Sequence, residues 1–157
     1  MPKTNELYDQ DFLLWTEEQA AALRCARDSN LPLDWENLAE EIASLGTSQR
    51  IELNSQVRRI LRHLFNLEAS PAVDPRAGWR MTVRDARTEI EDLLETSPSL
   101  RHEIDAVVRR QGTSAAKLAA HDLEDRGEPA DAVWARLEKG GFTTEQAIGD
   151  WFPDTAR

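Results

Sequence analysis

Apolar positions recur every three or four residues along most of the chain. Period-two runs rich in Val, Ile and Thr are missing, so the pattern predicts helices and no strand. Asp9 is a cap for a short first helix carrying Phe12 and Trp15. Thr16 followed by Gln19 reads as a capping box that restarts a helix to about Arg27. Asp28 to Pro32 forms a turn, because the residue before a proline is kept out of helix. Asp34 then caps a helix whose apolar face is Trp35, Leu38, Ile42 and Leu45. The same periodicity continues through Leu53, Val57, Ile60, Leu61, Leu64 and Leu67. This predicts one long helix from 35 to about 68, or two nearly collinear ones if Gly46 breaks rather than kinks it.

Two prolines in 69–77 mark a loop. A helix follows from Gly78 or Trp79 to about Glu95, with Trp79, Val83, Ala86, Ile90, Leu93 and Leu94 on one face. Ser97-Pro98 starts another, which Gly112 could bend and Gly127 could cap. A short helix from Pro129 to about Glu138 stops at Gly140-Gly141. A last one begins near Thr143 or Thr144, and Trp151-Phe152-Pro153 tucks against the bundle. The fold class expected is therefore all-α: an irregular bundle of about five to seven helices in a single domain over 1–157, with 1–7 as a tail.

Length and charge narrow the function classes. At 157 residues the chain can bury a core without disulfides or metal. The absence of a long apolar run argues against a membrane helix. The N-terminal residues lack the apolar stretch of a secretory signal, and the single Cys25 makes no internal disulfide, so a cytoplasmic location is expected. Cys25 itself is read as a core residue rather than a nucleophile. The formal net charge of −10 speaks against a nucleic-acid partner. That charge is uneven. Residues 1–49 hold 3 basic and 10 acidic side chains, and residues 88–157 hold 8 and 15. Between them, residues 50–87 hold 8 arginines and 4 acids. Internal neutralisation between acidic flanks is the plain reading of Arg50, Arg58, Arg59, Arg62, Arg76, Arg80, Arg84 and Arg87. An anion or phosphate surface is the sharper one, because guanidinium forks match phosphate oxygens.

Several segments in order resemble one family. They are Tyr8-Asp9-Gln10-Asp11-Phe12-Leu13-Leu14-Trp15-Thr16, Asp34 to Ile42, Leu61-Arg62-His63-Leu64, Trp79 with Arg87, Ser97-Pro98-Ser99-Leu100, and Trp151-Phe152-Pro153. Together they resemble the bacterial domain of unknown function 29 family over roughly residues 8–153. The resemblance implies a small, all-helical, cytoplasmic bacterial protein and no established activity. After His63-Leu64 the chain departs from the family's leucine, lysine and tryptophan with Phe65-Asn66-Leu67.

Candidate chemistry rests on three polar residues. On helical wheels of about 100° per residue, Glu41, His63 and Arg87 each lie where an apolar stripe meets a polar one. Three such residues could meet in a polar pocket, either as a structural ion pair with a histidine or as a site with base, proton shuttle and anion holder. A metal site is weighed on Glu41, His63, His102 with Asp105, and His121 with Asp122 and Asp125. None of these gives the Glu-x-x-His pattern of helical di-iron sites, so no metal is expected. No phosphate-cradle loop and no nucleophile elbow occurs, so no cofactor is expected. Trp134 is the best candidate for an exposed partner-binding anchor. The leading expectation is a non-enzymatic helical interaction module with a protein partner or a second copy. The alternatives are an enzyme or anion binder using Glu41, His63 and Arg87, and a nucleic-acid factor using the Arg50–Arg87 segment.

Overall fold

The computed structural model describes residues 3–154. Among them are seven α-helices and no strand: α1 (Thr4–Gln10), α2 (Phe12–Cys25), α3 (Trp35–Ala69), α4 (Arg76–Thr96), α5 (Ile104–Asp125), α6 (Asp131–Glu138) and α7 (Thr144–Ile148). Short 3-10 turns occupy Ala26–Asp28 and Pro98–Glu103. The all-helical class and the long helix from the mid-thirties are as the periodicity predicts. Of the expected tail, residues 4–7 are helical in α1, and residues 1–2 lie outside the described residues. Contacts group the chain into two compact units, each taking part of α3 and of α4. The first comprises residues 1–52 and 92–102, the second 53–91 and 103–157.

In the first unit α2 is capped by Asp11, not Asp9. Its Oδ1 accepts from the Leu14 N–H at 2.9 Å. The same carboxylate accepts from the Ser99 N–H at 2.7 Å and the Ser99 hydroxyl at 2.9 Å. Ser97 serves this helix too, its Oγ accepting from the Leu13 N–H at 3.1 Å. Thus the Ser97-Pro98-Ser99 turn supplies partners to the open N-terminus of α2, whose first N–H groups have none within the helix. Thr16 does not start a helix. It is buried inside α2, with its hydroxyl donating to the Leu13 carbonyl at 2.6 Å. Cys25, read as core, is exposed at the end of α2. Asp34 does cap α3, its Oδ1 accepting from the Asn37 N–H at 3.2 Å.

The first half of α3 differs from its wheel. Leu38 and Leu45 are 40% and 45% exposed, whereas Ala39 and Gly46 are buried. The buried seam is turned by roughly 70° from the Leu38–Ile42 centre. Gly46 supplies the reason: a Cβ there would stand 2.5 Å from Thr16 Oγ1 and 3.1 Å from a Leu13 methyl. The helix approaches α2 along its small residues, and the large ones are left at the rim. Gly46 neither breaks nor ends α3, which runs on to Ala69.

The second unit follows the predicted periodicity closely. Leu53, Val57, Ile60, Leu61, Leu64, Phe65 and Leu67 of α3 are all 0–1% exposed. Val83, Ala86 and Ile90 of α4 and Ile104, Val107, Ala115, Ala119 and Leu123 of α5 are buried with them. The Phe65 and Phe142 rings meet edge to face, centroids 4.8 Å apart. Gly127 follows α5 with φ +73°, a conformation that suits glycine at a helix end. Helix α5 passes through Gly112 without a break. Thr143 caps α7 through a capping box with Gln146.

Candidate functional site

Arg87 is buried, and every donor seen on it goes to the main chain. Its Nε donates to the Ala147 carbonyl at 2.9 Å, and Nη2 to the carbonyls of Gln146 at 3.0 Å and Trp151 at 2.7 Å. The guanidinium also lies 4.8 Å from the Phe152 ring centroid, with Arg84 at 5.3 Å and Arg80 at 5.9 Å. Burial pushes the Arg87 pKa down, Arg84 adds to that, and Asp150 opposes it. A side chain so engaged holds α7 and the Trp151-Phe152-Pro153 segment. It also borders an open cavity of about 470 Å³ with Arg84, Thr88, Glu91, Asp150 and Phe152.

His63 lies elsewhere in the same unit. It lines a smaller cavity of about 170 Å³ with Ser55, Arg58, Arg59, Arg62 and Leu118. Ser55, Arg58, Arg59, Arg62 and His63 share one side of α3 because they are spaced three and four residues apart. Arg62 forks onto Asp122 of α5 at 2.7 and 2.5 Å, and Asn66 donates to the same carboxylate at 2.9 Å. Arg58 has only the neutral Gln111 Oε1 at 3.4 Å, and Arg59 is exposed, with no ion pair among the described residues. The half-buried His63 keeps its Nδ1 out of solvent with no hydrogen-bond partner. Burial is the largest influence on it and lowers its pKa; the Arg62 and Arg59 charges push the same way, against Asp122.

Glu41 belongs to the first unit and is exposed, beside Leu38 and Leu45 on α3. It is Glu40 that turns towards α2, 3.6 Å from Arg24. Of the three residues singled out by sequence, His63 and Arg87 thus line different cavities of one unit. The wheel boundary at Glu41 does not hold, since Leu38 and Leu45 beside it are exposed. Arg58 and Arg59 were named in the basic segment but not grouped with His63, and Ser55 was missed. Their i, i+3, i+4 spacing with His63 was the available signal. Of the arginines expected to pair with acids of the flanking segments, Arg50 and Arg62 do so, with Glu17 at 2.6 Å and with Asp122. Arg76 and Arg87 donate instead to main-chain carbonyls. Trp134 is 38% exposed on α6. Among the described residues no three His, Cys, Asp or Glu side chains converge in a way that could hold a metal ion. No helix among them is long and apolar enough to cross a membrane.

The chain matches a family model, domain of unknown function DUF29, over residues 7–138. The chain belongs to this family. The DUF29 match takes in the parts just described: Asp11 at the α2 cap, the Asp34 cap of α3, His63 at the arginine cavity and Arg87 at the carbonyl cradle all lie within residues 7–138. A solved structure shares the fold, an α-helical protein of unknown function from Rhodospirillum rubrum ATCC 11170. It is 26% identical, with a TM-score of 0.66 over 93% of this chain and 98% of its own. No curated protein matches this DUF29 chain.

Proposed function

We propose that this protein is a helical binding module that takes a protein partner on the first half of α3. The observation supporting this is the stripe of Leu38 and Leu45, with half-buried Ile42 between them. Leu31 and Leu33, just before the helix in sequence, are also exposed, at 62% and 51%. Scattered apolar residues are ordinary on surfaces, but Leu38, Ile42 and Leu45 share one helix face, and an apolar patch of that kind marks interaction sites. Glu41 stands on the same side, between the two leucines in sequence, and residues 1–49 carry 10 acids against 3 bases. A second copy would set acid against acid. The partner surface that fits is apolar at its centre and basic at its rim. A module of this kind performs no reaction and resides in the bacterial cytoplasm, in line with its single cysteine.

The test is capture of partners from a bacterial extract on the immobilised chain. Leu38→Glu with Leu45→Glu is expected to abolish capture of a specific protein that Trp134→Ala leaves bound. Glu41→Lys is expected to weaken it by about an order of magnitude, the scale of one rim charge pair at low salt. A wild-type chain that dimerises in solution, and loses both dimer and capture in the double variant, would replace the heterologous partner with a second copy. Equal capture by wild type and double variant would overturn the reading.

A further inference from the structure

The second unit carries a cluster of cations in excess of its acids. Three arginines, Arg58, Arg59 and Arg62, border the His63 cavity, and one carboxylate, Asp122, answers them. Asp122 is consumed by Arg62 and Asn66. Among the described residues Arg58 and Arg59 have no acidic partner, and Ser55 adds a hydroxyl to the same cavity. His63 lines the same cavity. An oxyanion is the ligand that fits such a lining: guanidinium groups, a hydroxyl and a protonated imidazole are donors, and the anion's oxygens accept.

We propose that Ser55, Arg58, Arg59 and His63 form a binding site for a single phosphate group, free or as a monoester. The size of the cavity points to one group rather than a large ligand, since pockets for drug-sized molecules run about 300–1,000 Å³. A nucleic-acid track fits less well. It needs cations spread along several phosphates, and Arg76 and Arg87 of the same segment are committed to carbonyls. Leu118 gives the cavity one apolar wall, against which the ester group of a monoester would lie. The Arg62–Asp122 fork is a positioning device that keeps the third guanidinium fixed beside the site. This site is independent of the α3 face proposed for a protein partner, so either can fail alone.

The experiment is a titration of the full chain with inorganic phosphate at constant ionic strength in chloride, read by NMR of the imidazole rings. His63→Gln assigns the His63 signals against His102 and His121. The expected result is a saturable shift of His63 alone and a rise in its pKa when phosphate is bound. Arg59→Ala, at an exposed position that leaves folding unaffected, is expected to weaken phosphate about tenfold or more, the scale of one charged hydrogen bond. Phenyl phosphate tests the source: tighter binding than phosphate assigns the site to a monoester, and equal binding to the free ion. Shifts shared by all three histidines, or an Arg59→Ala variant with unchanged affinity, would overturn the site. So would a single-stranded oligonucleotide that binds with a steep salt dependence while phosphate leaves His63 unmoved.

Discussion

The two halves of α3 share one helix and one apolar periodicity, yet they treat their large side chains in opposite ways. From Leu53 to Leu67 the leucines, valine, isoleucine and phenylalanine of the stripe are fully buried. From Trp35 to Gly46 it is Ala39 and Gly46 that go inside, while Leu38 and Leu45 stay at the rim. The sequence period is the same in both, so the difference comes from what each half meets. In the first unit Gly46 lets Thr16 and Leu13 come within contact of the α3 backbone. Close approach on a small residue leaves no room between the helices for Leu38 or Leu45. Periodicity tells which residues are apolar, and the size of the residue at the crossing decides which of them are covered.

The largest expected break in this comparison is Phe65→Ala. It empties a fully buried site against Phe142 and should cost about 3–5 kcal/mol of unfolding free energy. Leu38→Ala in the other half should cost less than about 1 kcal/mol, because surface substitutions stay near zero. Urea unfolding of the two variants measures the contrast, and similar losses would dissolve it.

Gly46→Ala comes next. Helix propensity alone favours alanine by about 1 kcal/mol. The new Cβ would press on Thr16 Oγ1, which is buried and bonded to the Leu13 carbonyl. Overpacking of about 1–3 kcal/mol should outweigh the propensity gain. Thr16→Ala removes that oxygen, so the double variant should recover much of the loss. If Gly46→Ala is stabilising by itself, size at the crossing does not set the seam.

The smallest effect is expected in the pH dependence, and it belongs to the second unit. His63 has its pKa lowered by burial and by Arg62 and Arg59, partly offset by Asp122. The unfolded chain therefore binds a proton more readily than the folded one. This contribution to stability is complete above the unfolded histidine value near 6.5 and declines as pH falls below it, levelling off once pH passes the folded value. At Asp122, burial raises the carboxyl pKa, but hydrogen bonds from Arg62 and Asn66 and the nearby positive charges hold it below the ordinary range. Its contribution is present above about 3.9 and is lost as pH falls through the folded value. His63→Gln should remove the decline that begins near pH 6.5 in melting curves and leave the more acidic limb. Asp122→Asn should do the reverse.

Much of this was legible in the chain itself. The long helix, the Asp34 cap, the Gly127 end of α5 and the start of α7 at Thr143 all follow from local signals that need no knowledge of neighbours. By contrast, the helix expected to start at Ser97-Pro98 opens as a 3-10 segment, Pro98–Glu103, and α5 begins only at Ile104. The misplaced features depend on distant partners. Asp9 and Asp11 look alike as caps until Ser99 arrives to share Asp11. Cys25 reads as core until α2 ends there with its last turn in solvent. His63 and Arg87 both stood at polar boundaries, yet a wheel cannot say that one would face arginines and the other three carbonyls.

The carbonyl cradle of Arg87 has a dynamic consequence. One guanidinium ties the end of α7 to the strand-less segment after it, so the two cannot open separately. Releasing Trp151 would strand a buried cation, and releasing α7 would do the same. Amide hydrogens from Gln146 to Trp151 should therefore exchange as one block, at a free energy set by a single side chain on another helix.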